Sequence, residues 1–352
     1  MAPGPERPSW AARLEALLQR HWWQPRPRGL MRLLWPLSLA YGGLAALARR
    51  QAVPQAGPAV PVLVVGNLVV GGAGKTPTVI ALVLAFQAAG RRPGVISRGH
   101  GRQGHGVSAV TADASAQAVG DEPLLIRRRT QVPVWVGRDR SAAARGLCAA
   151  HPEVDVLLAD DGLQHRRLRR DAELLVFDDR GVGNGQLLPA GPLREPLPVA
   201  LGPQQRVIYT GQGVSTPLPG GSGRRRLGRA WPLCAWLRDE AHAAVELHSL
   251  TDRPLLAVAG LAAPQKFFDM LSAAGLVFDS LPLPDHHPYA TLPWPASTRD
   301  VLTTEKDAVK IDLAALAGTR VWVLPLDFQL PPGLADDLLS LLPAPQPKTP
   351  SP

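Results

Sequence analysis

Residues 62–78 read V-L-V-V-G-N-L-V-V-G-G-A-G-K-T-P-T, and the order of chemistries along that stretch decides the fold. Val62 to Val65 form a continuous apolar run, the pattern of a strand buried on both faces. Gly71, Gly72 and Gly74 follow, with Ala73 between them, and Lys75, Thr76 and Pro77 open a segment of helical composition that runs to Ala89. Strand, glycine turn, Lys-Thr and helix is the context of a phosphate-binding loop. Glycines let successive backbone N–H groups face one concavity, and the helix start adds partial positive charge. The lysine reaches terminal phosphates and the threonine hydroxyl is a Mg²⁺ ligand. Residues 71–77 are therefore expected to bind a nucleotide. The usual pattern has a further glycine five residues before Gly74, where this chain has Val69. A plain glycine turn joining strand to helix is the competing reading.

At 352 residues with a net charge of +9, carried by arginine far more than lysine, the chain has room for two domains and favours an acidic partner. That partner is an anionic membrane surface, a phosphorylated substrate or nucleic acid. Cys148 and Cys234 lie far apart without metal-ligand spacing, so neither a disulfide framework nor a zinc site is supported. The first ten residues are polar and proline-rich, unlike a secretory signal.

Residues 9–24 carry apolar positions at helical spacing and end in His21-Trp22-Trp23. A second apolar segment, Leu30 to Ala48, contains Pro36 and is flanked by arginines. Its uncharged part is shorter than the roughly 20 residues a spanning helix needs, and nearby tryptophans suit an interfacial anchor. Past the phosphate loop, strands and helices alternate, which predicts parallel sheets with ligands at the strands' carboxyl ends. The expected organisation is α/β. A membrane-associated amino-terminal helical segment spans 1–52, a P-loop parallel-sheet kinase lobe 58–204 and a second α/β lobe 205–342. A disordered tail spans 343–352. Gly211 to Arg229, rich in Gly, Pro and Arg, reads as a mobile insertion.

Chemistry-bearing residues cluster at predicted strand ends. Arg98 follows one strand and is placed to meet a phosphate. Asp160 caps another, in Asp160-Asp161-Gly162-Leu163-Gln164-His165, and is the expected Mg²⁺-side carboxylate opposite the phosphate loop. Asp121 and Glu122 precede a helix in the nucleotide half, as N-capping residues or as a base and a metal ligand. Asp285-His286-His287 is the main proton-handling candidate outside that half. No guanine-reading Asn-Lys-x-Asp occurs; Thr304-Glu305-Lys306-Asp307 lacks the asparagine.

Seven stretches in fixed order carry a resemblance: V-G-N-L-V-V-G-G-A-G-K-T-P, S-R-G-H-G-R, G-D-E-P, D-D-G-L-Q-H, N-G-Q-L-L-P-A-G-P-L-R-E-P, D-H-H-P-Y and T-E-K-D-A-V-K. Together the set resembles the tetraacyldisaccharide 4'-kinases. The resemblance implies a lipid kinase that moves the γ-phosphoryl of ATP, with Mg²⁺, to the 4'-hydroxyl of a lipid disaccharide monophosphate. It implies work at the cytoplasmic face of the inner membrane, as a peripheral or monotopic protein, without nucleic acid. Asp121 with His286, served by Lys75, is implied as the catalytic set. Thr76, Glu122 and Asp160 are implied on the metal side, and Arg98, Asp161, Gln164, Arg194 and Glu195 on the substrate side. His100 and Leu163 stand where the family more often carries aromatic residues. The alternatives are a membrane-associated P-loop NTPase switch acting on a protein, and a basic scaffold with a relict nucleotide loop.

Overall fold

A computed structural model of the chain describes residues 17–26, 29–53 and 58–344. The expected helical positions Trp10 and Leu14, part of the linker at 51–60 and nearly all of the tail lie outside these residues. Eight strands form the first sheet: β1 (Val62–Gly66), β2 (Pro93–Ser97), β3 (Ser108–Ala109), β4 (Val134–Val136), β5 (Val156–Asp160), β6 (Ala172–Phe177), β7 (Gln205–Tyr209) and β8 (Gly221–Ser222). Their spatial order is β3-β4-β2-β5-β1-β6-β7-β8. Only β3 runs antiparallel. The phosphate-loop strand β1 lies centrally, between β5 (Val64 beside Ala159) and β6 (Leu63 beside Ala172).

Alternation along β1 sends its side chains to two cores. Leu63 and Val65 meet Val79, Val83 and Phe86 of the helix Lys75–Ala88. Val62 and Val64 belong to the opposite core, which also holds Ala143, Ala144 and Leu147 of the helix Arg140–Ala150. Because both faces are covered, all five residues of β1 are buried. That is why the sequence there is a continuous apolar run rather than an alternating one.

The second lobe has five strands in the order β10-β14-β13-β11-β12. They are β10 (Trp231–Pro232), β11 (Leu255–Ala259), β12 (Phe278–Pro282), β13 (Asp300–Thr304) and β14 (Arg320–Leu324). One face packs on Phe267, Phe268 and Leu271 of the helix Pro264–Ala273. Val258, Val301 and Val323 on the other face belong to the same cluster as Phe86, so one core joins the lobes.

The stretch expected to be a mobile insertion is ordered. After β8 it forms β9 (Arg224–Leu227), which pairs antiparallel with β15 (Leu326–Gln329), a strand that continues from β14 of the second lobe. Tyr209 Oη donates to the carbonyl of the buried Leu218 at 2.7 Å and so holds the start of the stretch. Its order comes from partners about 100 residues away, which a local composition window does not contain.

The amino-terminal segment forms a short turn, Leu30–Leu33, and a helix, Trp35–Gln51, with Pro36 in its first turn where no donor is required. Among the described residues no helix is long and apolar enough to cross a membrane.

Phe86 is fully buried where the phosphate-loop helix meets the shared core. Phe86→Ala is expected to lower unfolding free energy by about 3–5 kcal/mol, read as a lower urea midpoint at unchanged slope. A loss below about 1 kcal/mol would refute the shared core at this position.

Candidate active site

The carboxyl ends of both sheets open onto one cleft of ≈ 580 Å³. From the first lobe it receives Gly71 to Pro77, Arg98, Glu122, Asp160, Asp161 and Arg194. From the second it receives Asp285, His286 and Lys306. Asp121 stands behind His286, to which it is bonded. Gln164 and Glu195 are not part of the cleft wall; their partners are protein groups.

The phosphate loop is held open from several sides. Gly74 sits at φ +84, and a Cβ there would lie 2.6 Å from Arg225 Nη2 and 2.9 Å from Thr210 Oγ1, so glycine is required. Thr210 Oγ1 donates to the Ala73 carbonyl at 2.8 Å. Val70 N donates to the Pro192 carbonyl at 2.9 Å, which ties the loop to the 184–196 segment. The first turn of the helix Lys75–Ala88 carries no acidic residue, leaving its N–H groups to an anion.

Lys75 Nζ donates to Asn67 Oδ1 at 3.1 Å and pairs with Asp161 at 3.4 Å. The same acceptors hold Arg194, whose Nη2 reaches Asn67 Oδ1 at 3.0 Å and whose Nη1 reaches Gln164 Oε1 at 2.9 Å and Asp161 at 3.5 Å. Its Nε donates to the Val69 carbonyl at 3.2 Å. Burial would push the Asp161 carboxyl up, but Lys75, Arg194 and Arg140 outweigh burial and hold it below the ordinary range. Glu195 is buried against Arg166 and Arg49, the latter at 3.4 Å from the amino-terminal helix.

Asp160 is fully buried at the end of β5. Ser97 Oγ donates to its Oδ2 at 3.1 Å, whereas its Oδ1 is buried without a hydrogen-bond partner. Burial, then Glu122 and Asp161, push its pKa up to about 7. A divalent cation against Oδ1 would satisfy that orphaned oxygen and relieve the crowding of charge, so these residues fit Mg²⁺. Among the described residues no three acidic, His or Cys side chains converge as a self-sufficient metal cage. Phosphate oxygens and water would complete the shell.

Opposite, Gly120 at φ +97 turns the chain into the helix Asp121–Thr130, so Asp121 and Glu122 occupy its first turn rather than precede it. His286 Nδ1 lies 2.8 Å from Asp121 Oδ2, across the lobes. His286 itself sits at φ +59, a left-handed conformation costly for a non-glycine residue. The hydrogen bond to Asp121 leads the causes that raise the His286 pKa, against burial and Lys306. Burial favours a neutral Asp121, but His286, Lys306 and Lys310 outweigh it and hold that carboxyl below its ordinary range.

Several site residues were not singled out in the sequence. Lys306 Nζ approaches Asp285 at 3.1 Å, Glu122 at 3.2 Å and His286 Nε2 at 3.4 Å. Lys310 Nζ pairs with buried Asp307 at 3.0 Å and lies 3.9 Å from Asp121. Their i, i+4 spacing just after β13 was a readable signal. So was Asp178-Asp179 after β6, where Lys266 of the second lobe pairs with both at 3.3 Å. Asn67 and Arg225 carried no local signal.

The family profile described as Tetraacyldisaccharide-1-P 4'-kinase matches residues 30–343. Tetraacyldisaccharide 4'-kinase of Leptothrix cholodnii is 53% identical over 348 residues, spanning 96% of this chain and 99% of that one. The enzyme of the same name from Methylibium petroleiphilum is 51% identical over 341 residues, 94% and 95% of the two chains. Among solved structures, LpxK from Aquifex aeolicus in complex with ATP superposes with a TM-score of 0.71 at 27% identity, covering 90% of this chain and 100% of that one.

Arg194 holds the phosphate loop through Asn67 and Val69. Arg194→Ala is expected to speed hydrogen exchange of the amides at 67–75 at least about tenfold, a local opening made easier by about 1.4 kcal/mol. Unchanged exchange there would mean that Arg194 does not hold the loop.

Proposed function

The chain belongs to the tetraacyldisaccharide 4'-kinase family, and from that premise we propose how its cleft divides the labour. The enzyme transfers the γ-phosphoryl of ATP to the 4'-hydroxyl of a tetraacyldisaccharide 1-phosphate, the step that gives lipid IVA in lipid A biosynthesis. Family membership displaces the switch and scaffold readings. The observation that carries the assignment of roles is the 2.8 Å contact between His286 Nδ1 and Asp121 Oδ2, which faces the phosphate loop across one cleft.

In this reading the N–H groups of Gly71 to Thr76, with Lys75, bind the phosphates of ATP, and Pro77 continues that wall. Thr76, Asp160 and Glu122 would hold Mg²⁺, which when bound neutralises charge on the phosphate oxygens. Lys75 then leaves Asp161 for phosphate. Arg98 and Asp161 line the acceptor side. Arg194 stands in the wall and holds the loop, Gln164 braces Arg194 from behind, and Glu195 ties the same segment to the amino-terminal helix through Arg49. As the sugar hydroxyl attacks, its oxygen bonds to the γ-phosphorus and the bond to the bridging oxygen of ADP breaks. The hydroxyl proton passes to the Asp121–His286 pair.

The acyl chains of such a substrate require an apolar surface nearby. The helix Trp35–Gln51 supplies one: Trp35, Leu37, Leu39, Leu44 and Leu47 are all exposed, Leu44 at 68%. Its other face docks on the 184–196 segment through Ser38 Oγ to the Leu187 carbonyl at 2.9 Å and Tyr41 Oη to the Arg194 carbonyl at 3.1 Å. With Arg32 before it and Arg49 and Arg50 in its last turn, this helix is assigned to lie on the cytoplasmic face of the inner membrane without crossing it.

With γ-labelled ATP and lipid disaccharide monophosphate, Asp121→Asn is expected to lower kcat about 10²- to 10⁴-fold. Activity within about threefold of wild type would sink the dyad assignment. The groups facing His286 are Asp121, Asp285, Lys306 and the His100 ring at 5.3 Å. Because the His286 pKa is raised, kcat/KM should fall as pH drops through a value above the ordinary histidine range. In His286→Ala that acid limb should vanish or move; an unmoved limb assigns it elsewhere. Leu37→Glu with Leu44→Glu is expected to cut cosedimentation with anionic vesicles at least about tenfold, leaving ATP affinity intact; unchanged cosedimentation removes the anchor.

A further inference from the structure

Strand β9 contains three consecutive arginines, and alternation gives them different surroundings. Arg224 and Arg226 are exposed, whereas Arg225 turns inward, paired in register with Phe328 of β15. Its guanidinium lines the cleft beside the phosphate loop. Nη2 donates to Thr210 Oγ1 at 3.0 Å, and that hydroxyl in turn donates to the Ala73 carbonyl. Nη2 also occupies the space that a side chain at Gly74 would need. Nε is buried with no hydrogen-bond partner. Nearby carboxylates Asp178 and Asp179 are already paired, Asp178 with Arg180 at 2.9 Å and both with Lys266. Cations therefore outnumber carboxylates at this rim, and a residue that lines it keeps one desolvated N–H without an acceptor. Burial lowers the pKa of Arg225, and the two carboxylates do not offset that burial; an anion would.

We propose that Arg225 is a nucleotide-binding residue whose guanidinium engages the phosphate chain of ATP from the ribbon that joins the two lobes. The phosphates supply the acceptor that Nε lacks, and the planar fork suits two oxygens at once. Because β9 and β15 link the two sheets, the contact ties nucleotide occupancy to the position of the second lobe. The inference rests on the phosphate-loop reading of residues 71–77.

The test is direct binding to the full-length protein in detergent, with ATP and ADP as probes and adenosine as competitor, beside steady-state kinetics. Arg225→Gln should weaken ATP and ADP about 10- to 100-fold and adenosine less than about threefold. KM for ATP should rise by a similar factor, with KM for the lipid unmoved. Arg225→Lys, which keeps charge without the fork, should recover part of the loss. ATP affinity within about twofold of wild type in folded Arg225→Gln, or equal loss for adenosine, overturns the proposal. Should Arg225→Gln fail to fold, Arg225→Lys decides: unchanged ADP affinity refutes the contact. Lys75→Ala separates the two levels. If it too leaves ATP affinity unchanged, the phosphate-loop reading fails; if only the Arg225 variants are silent, this inference fails alone.

Discussion

A hydrogen bond between His286 and Asp121 joins two lobes that share no strand, so it exists only where both sheets end at the same place. Parallel strands impose that meeting point. Each crossover returns the chain to the same edge, so the carboxyl ends of the parallel strands in a sheet all face one way. In the first lobe those ends deliver Asn67, Ser97, Asp160, Asp178 and Thr210; in the second, Gly260, Thr304 and Leu324. The 2.8 Å contact is the point at which the two arrays close on each other.

Charge compensation then decides what each delivered group can do. Asp121, Asp160, Asp161 and Glu122 are crowded into partly desolvated space, where an unpaired carboxylate costs several kcal/mol. Three of the four have an ion pair with a cation of the protein: Lys310 by Asp121, Lys306 by Glu122, Lys75 and Arg194 by Asp161. Asp160 alone keeps a buried oxygen unsatisfied. Asp160 is thus the carboxylate proposed to take an external cation, and Lys75 rests on a carboxylate rather than in solvent.

Much of this was legible in the chain. The apolar run of β1 and the order Gly-Lys-Thr gave the strand, loop and helix, because those signals are local. Asp160 and His286 stood out as polar residues at strand ends. The helix bearing Asp121 begins earlier than its apolar residues suggest, since its first turn is acidic and stabilised by the helix start. The β9–β15 ribbon was illegible for a different reason. Arg224 to Leu227 has no apolar period, and its order comes from Phe328 and its neighbours a hundred residues on. Asn67 carried no local signal; only Lys75 and Arg194, brought together in space, reveal it as their shared acceptor.

Arg194 has one more property. Its carbonyl accepts from Tyr41 on the amino-terminal helix, while its guanidinium donates to Asn67, the acceptor of Lys75. One residue therefore lies in series between the apolar helix and the phosphate loop, and Glu195 beside it pairs with Arg49 of that helix. Thermodynamic reciprocity follows from such a linkage. Whatever factor lipid contact contributes to the grip on nucleotide, nucleotide returns to the grip on lipid. Where that factor exceeds one, the nucleotide-loaded protein holds lipid more firmly than the empty one, and the same helix reports both.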